Sequence, residues 1–128
     1  MSERLESREL MSGTRVGWHL VADLFEIPVA TLANASLVLP VVRAALEEGA
    51  FQILRESSHV FDNGAFTAIW LLSESHCSLH SYPELGYLAF DLFSCGSKDP
   101  TSVLRRLLAA TGGELRNQRL IERGIHEG

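Results

Sequence analysis

The stretch Phe66-Thr67-Ala68-Ile69-Trp70-Leu71-Leu72-Ser73-Glu74-Ser75-His76-Cys77-Ser78-Leu79-His80-Ser81-Tyr82-Pro83-Glu84-Leu85-Gly86-Tyr87 decides the fold of this 128-residue chain. Phe66 to Leu72 is nearly all apolar, which suits a central strand covered on both faces. Ser75 to Tyr82 alternates polar and apolar, the period-two pattern of a half-covered strand. Pro83-Glu84-Leu85-Gly86 is turn chemistry and returns the chain into a further strand from Tyr87 to Phe93. Successive strands joined by such short turns pair antiparallel.

Upstream, Asp62-Asn63-Gly64 is a hairpin signal that joins a strand over Phe51 to Phe61 onto Phe66. Gly17 to Glu26 mixes β-branched, aromatic and aliphatic residues and reads as another strand. Between them Val38, Val41, Val42, Ala45 and Leu46 recur at helical spacing, with Pro40 expected in the first turn and Gly49 as the stop. Downstream, Asp99-Pro100 supplies an N-cap and a first-turn proline. The helix that follows carries Val103, Leu104, Leu107 and Leu108 on one face and stops at Gly112-Gly113; a short charged strand or tail closes the chain. This order predicts an α+β two-layer sandwich, one antiparallel sheet with two helices on one face. The bare sheet face asks for cover, and a second copy is the simplest cover, so a homodimer is expected. Met1 to Gly13 is polar and without an apolar period. It is expected to be a flexible extension (residues 1–13, with Met11 a second candidate start) ahead of a single domain over 14–128.

Composition bounds the function. Apolar residues make up 46% and charged residues 21%, the balance of an ordinary globular domain. The net charge is −5 and the 11 Lys and Arg form no dense stripe, which argues against nucleic acid as a partner. No apolar run is long enough to span a membrane and the N-terminus has no secretory pattern. Two cysteines make no disulfide framework and suit a reducing cytoplasm.

The chemistry concentrates at Glu74-Ser75. A serine hydroxyl can attack the carbonyl before it and leave an ester; elimination from that ester gives a pyruvoyl group, an electrophilic carbonyl made from the chain itself. Such a group is an electron sink for a carbanion and takes a substrate amine as a Schiff base. His80 lies five residues on, a side chain that titrates near neutrality and suits moving the Cα proton. Cys95 stands before Gly96 at a strand end, where a thiol is accessible. His76 and His80 are four apart, yet with only Cys77 and Cys95 as further ligands there is no closed metal spacing, and no metal is expected.

Ser73-Glu74-Ser75-His76, His80, Tyr82-Pro83-Glu84, Gly86-Tyr87, Asp91 and Cys95-Gly96 together resemble the bacterial and archaeal S-adenosylmethionine decarboxylase proenzymes. Weaker similarity runs from Gly17-Trp18-His19-Leu20 through Pro100. The resemblance implies cleavage between Glu74 and Ser75, giving a β chain of 1–74 and an α chain of 75–128 that begins with the pyruvoyl group. It implies His80 as the proton-transfer group of processing, assisted by Thr67 where the family has serine, and Cys95 as the acid that reprotonates the substrate carbon. On the substrate side it implies Phe61 and Tyr82 flanking the adenine and Glu84 on the ribose hydroxyls. Cys77 falls where the family has leucine and is structural.

Each of these residues also has a plain alternative. Ser75 and Thr67 would be unremarkable in strands, His80 a satisfied half-buried histidine, Phe61 and Tyr82 packing residues, Glu84 a solvated turn. The loop Asp62-Asn63-Gly64-Ala65 departs from the family pattern. Asp62 beside the substrate aromatic would welcome the distal cation of ornithine or arginine, an alternative substrate class on the same scaffold. A non-catalytic regulatory homologue is a third reading, against which Ser75, His80 and Cys95 all count.

Overall fold

The structure, a computed structural model, describes residues 15–96 and 98–126. The expected extension over 1–13 lies outside these residues. Six strands form one sheet: β1 Gly17–Phe25, β2 Ile53–Val60, β3 Phe66–Leu72, β4 His76–Tyr82, β5 Tyr87–Cys95 and β6 Glu114–Arg123. Their order is β2-β3-β4-β5-β1-β6 and every neighbouring pair is antiparallel. Among the described residues three α-helices accompany them, α1 Val29–Leu32, α2 Ala35–Glu48 and α3 Thr101–Thr111. The α+β sandwich expected from sequence is therefore the fold.

Period-two alternation sorts the side chains cleanly between two faces. Leu20, Leu24, Ala68, Trp70, Leu79, Leu88 and Leu92 are fully buried on one of them. Val42 and Leu46 of α2 and Val103 and Leu107 of α3 complete that core. Each such aliphatic contributes about 1.5–3 kcal/mol over exposure. Trp70 is wholly buried, and its indole N–H reaches out of the core to Glu56 Oε1 at 2.6 Å. Arg43 of α2 clamps the same carboxylate with two hydrogen bonds of 2.9 and 2.7 Å, tying the helix to the edge strand β2.

Several local expectations change. Pro40 lies inside α2 rather than in its first turn, because the helix begins at Ala35. The short α1 was not expected; it is one turn, opened by Pro28, with Leu32 buried. β3 is covered on one face only, since Ile69 and Leu71 are 48% and 49% exposed on the other. A continuous apolar run cannot distinguish a strand covered by helices on both sides from one with an open second face. Finally, the charged tail is a full edge strand, with a register shift against β1 between Val21 and Asp23. Gly64 and Gly86 behave as read, with φ of 89° and 64°, whereas α3 begins at Thr101 with Pro100 at its N-cap and not in its first turn; Asp99 Oδ1, one residue further out, still accepts from the Thr101 N–H at 2.9 Å. Among the described residues no helix is long and apolar enough to cross a membrane.

Candidate active site

β3 and β4 are joined by the bend Ser73-Glu74-Ser75, pinned where Ser73 N donates to the Gln52 carbonyl at 3.0 Å and Leu72 N to that of Ser75 at 3.0 Å. Cys95, the last residue of β5, lies against this bend. Its thiol donates to the carbonyl oxygen of Glu74 at 2.8 Å, the carbonyl that Ser75 would attack. Glu74, Ser75, Cys95 and Lys98, with Phe51 and Leu72 behind them, line a cleft of about 90 Å³. Burial pushes the Cys95 thiol up from its ordinary value and the Glu74 carboxylate adds to this, while Lys98 opposes it. A thiol so placed is protonated at neutral pH and has a proton to donate.

A second group lies further along β4. Thr67 on β3 and His80 on β4 are register partners on the uncovered sheet face, with Thr67 Oγ1 and His80 Nδ1 3.1 Å apart. Tyr82 ends the same strand. Its ring stacks on Tyr87 (centroids 5.3 Å apart, planes at 15°), and Tyr87 stacks on Phe25 at 4.7 Å and 17°. The Arg116 guanidinium caps the column 4.7 Å from the Phe25 ring centre. Tyr87 donates to Asp23 Oδ1 at 2.6 Å; burial first, then this carboxylate, lifts its phenol to about 12. Phe61 is half exposed and meets the His59 ring edge-on at 4.6 Å. Glu84 and Asp62 are exposed in their turns.

These two groups do not meet within one chain. At about 3.3 Å per strand residue, His80 is roughly 17 Å and Tyr82 roughly 23 Å from Ser75 along β4. The chain thus brings Glu74, Ser75 and Cys95 together, and Thr67, His80 and Tyr82 together, at opposite ends of one strand.

A third cluster occupies the middle of the open face. His19 Nε2 is 2.7 Å and His76 Nε2 3.3 Å from Asp91 Oδ2, and the Ser78 hydroxyl donates to Asp91 Oδ1. The Asp91 carboxyl is desolvated, which favours its neutral form, but the bonds from Ser78 and His19 outweigh this and lower its pKa. Three such ligand atoms within 4.8 Å of one another have the composition of a divalent-metal site. Arg123 sets the hydrogen bonding within it. Its Nη1 is 2.9 Å from His19 Nδ1; a guanidinium only donates, so Nδ1 accepts and the ring proton sits on Nε2, aimed at Asp91. With the guanidinium donating to Nδ1, the His19 ring and the Asp91 carboxylate form a hydrogen-bonded chain from Arg123 across the open sheet face. Cys77 points to the helix side, fully buried. Of this cluster, sequence reading passed over His19, Ser78 and Arg123. The signal was parity: His19, His76, Ser78, His80 and Asp91 all alternate onto the uncovered face.

The fold is that of the adenosylmethionine decarboxylases. A crystal structure of the adenosylmethionine decarboxylase from Aquifex aeolicus VF5 superposes with a TM-score of 0.80 at 22% identity, covering 90% of this chain and 96% of that one. The family model for S-adenosylmethionine decarboxylase matches residues 18–124. The S-adenosylmethionine decarboxylase proenzyme of Symbiobacterium thermophilum is 33% identical over 115 residues, 89% of this chain and 87% of that protein. That of Thermotoga maritima is 34% identical over 96 residues, 74% of each. This chain belongs to the S-adenosylmethionine decarboxylase family, and as a member it is a carboxy-lyase.

Proposed function

We propose that the chain is a proenzyme that cuts itself between Glu74 and Ser75, into β (1–74) and α (75–128) chains, and then decarboxylates S-adenosylmethionine. The observation that carries this is the Cys95 thiol on the Glu74 carbonyl: it polarises the bond that Ser75 must open and places an acid at the same point. Ser75 Oγ adds to the Glu74 carbonyl carbon, the C–N bond breaks, and an ester forms. A base removes the Ser75 Cα proton, the Cβ–Oγ bond breaks, and Glu74 leaves as a carboxylate. Water then replaces the α nitrogen, which departs as ammonia, and a pyruvoyl group remains. Once formed, that group supplies the electron sink for loss of carbon dioxide. The chain's own residues do the rest: Cys95 delivers the proton, Phe61 and Tyr82 stack the adenine, and Glu84 accepts from the ribose hydroxyls.

A cleft of about 90 Å³ holds the reacting atoms but not a nucleoside, and the His80 group stands at the far end of β4. Both facts support a homodimer with the open sheet faces toward each other, the strands of one copy reversed on the other. His80, Thr67, Phe61, Tyr82 and Glu84 of one protomer then serve Ser75 and Cys95 of its partner. Exposed Ile69, Leu71 and Phe61 on or beside that face support the same arrangement. A reducing cytoplasm suits the two free thiols.

An intact-mass spectrum and a decarboxylation assay test the reading. Two fragments and carbon dioxide from S-adenosylmethionine are expected. Release only from ornithine or arginine overturns the substrate, and an intact chain that still turns over overturns the mechanism. A chain that neither cuts nor turns over favours a regulatory homologue.

A further inference from the structure

Cleavage changes more than Ser75. In the uncut chain the Cys95 thiol donates to a neutral amide carbonyl, that of Glu74, at 2.8 Å. The steps above leave that oxygen and the former Ser75 Oγ together on Glu74, as a free α-carboxylate bearing a charge the amide did not have. We propose that this new chain terminus is a working part of the finished enzyme. The α-carboxylate of Glu74 holds the Cys95 thiol protonated and aimed, so that self-cleavage arms the acid that decarboxylation uses. The inference rests on the self-processing reading of the Glu74–Ser75 bond.

Both partners have anchors that the cut does not touch. The chain up to Ser73 is held to Gln52 by the Ser73 backbone N–H at 3.0 Å and by its hydroxyl at 3.2 Å. Cys95 is the register partner of Gly17 on β1, and Gly96 N donates to the Val16 carbonyl at 3.4 Å. The α-carboxylate is therefore generated beside the thiol, with one residue between it and a fixed backbone bond.

Among the described residues, two charged groups act on the thiol. Glu74 contributes its side-chain carboxylate from the bend, and Lys98 its ammonium from the loop after β5. From β1, Gly17 offers no side chain. On β4, His76 is turned to Asp91; on β6, Arg123 is committed to His19. Before the cut one carboxylate is set against one ammonium; afterwards two carboxylates are. Anions next to a thiol disfavour the thiolate, and a carboxylate accepts the S–H more strongly than an amide does.

The test compares two states of the full chain. Alkylation of Cys95 by iodoacetamide is followed against pH in the uncut Ser75→Ala protein. The same is done in cut wild-type protein whose residue-75 carbonyl has been reduced with borohydride. Peptide mapping scores buried Cys77 separately. The thiol of the cut protein should titrate about 1 unit or more higher, hence react roughly tenfold or more slowly at a fixed pH below both midpoints. Lys98→Met should raise both midpoints and leave their difference intact. Equal midpoints in a cut protein overturn this inference alone, and so does a difference that vanishes in Lys98→Met, which would assign it to Lys98. A wild-type chain that stays whole on the mass spectrum overturns the inference and the self-processing reading together.

Discussion

Thr67 Oγ1 and His80 Nδ1 face each other as register partners across β3 and β4, 3.1 Å apart. The contact fixes the imidazole ring on the open face and ties its tautomer to the hydroxyl. Thr67→Ser keeps the hydroxyl and should process normally. Thr67→Val keeps the shape and loses a hydrogen bond worth about 1 kcal/mol, so self-cleavage should slow about fivefold. His80→Ala should stall at the ester or the uncut chain, and hydroxylamine should release the α fragment from any trapped ester. Time-resolved intact mass reads all three; normal cleavage in His80→Ala would remove the histidine from processing.

Glu56 Oε1 accepts from the buried Trp70 indole N–H at 2.6 Å. Glu56→Ala leaves that donor unsatisfied inside the core and should cost about 1–3 kcal/mol by denaturant titration, with Glu56→Gln milder because its amide oxygen still accepts. The Arg43 hydrogen bonds hold the Glu56 carboxyl below its ordinary pKa, against the effect of burial and with help from Trp70. A depressed folded-state pKa means stability present above the unfolded carboxylate range and lost as pH falls through the folded value. The gap between wild type and Glu56→Gln should therefore narrow in acid.

How much of this was legible in the sequence depends on the range of the interaction. Pro83-Glu84-Leu85-Gly86 and Asp62-Asn63-Gly64 act within a few bonds, and both turns form where they were read. The core parity of β4 and β5 followed from alternation alone. What failed to show was long-range. Trp70 looked like any apolar strand residue, yet its indole depends on a carboxylate fourteen positions away. Arg123 donates to the His19 ring from 104 residues off, and no local pattern encodes that. Motif spacing put Ser75, His80 and Tyr82 in one list; the strand's rise separates them.

Tyr87 joins the aromatic column to Asp23 through its hydroxyl. Its phenol should ionise only near pH 12 in the folded protein, read from phenolate absorbance. Asp23→Asn removes the charged acceptor and should lower that midpoint, while burial keeps it above the ordinary tyrosine value near 10. An unchanged midpoint would mean that the 2.6 Å contact with Asp23 does not persist in solution.

Glu84 and Asp62 distinguish the substrates. If Glu84 holds ribose hydroxyls, Glu84→Gln loses a charge-assisted hydrogen bond of about 1.5–3 kcal/mol, and kcat/KM for S-adenosylmethionine should fall by about one to two orders of magnitude. Asp62→Asn should then be nearly silent. The reverse pattern, with turnover of ornithine or arginine, would move the substrate contact to Asp62.

Ser75 just precedes β4 and His80 lies near its far end; in the proposed dimer they work only across the interface, which mixed oligomers can reveal. Ser75→Ala and His80→Ala are each inactive alone. Co-expressed, they form mixed dimers in which one shared site pairs the intact Ser75 of one chain with the intact His80 of the other. Random pairing makes half of all dimers mixed, each with one of two sites whole, so about a quarter of wild-type sites should be restored. Only the His80→Ala chain carries Ser75, so it alone should be cut. If each chain used its own His80, no mixed dimer would hold a complete site, and co-expression would give neither fragments nor activity. A dimer detected by light scattering without this complementation would keep the assembly and reject the shared site.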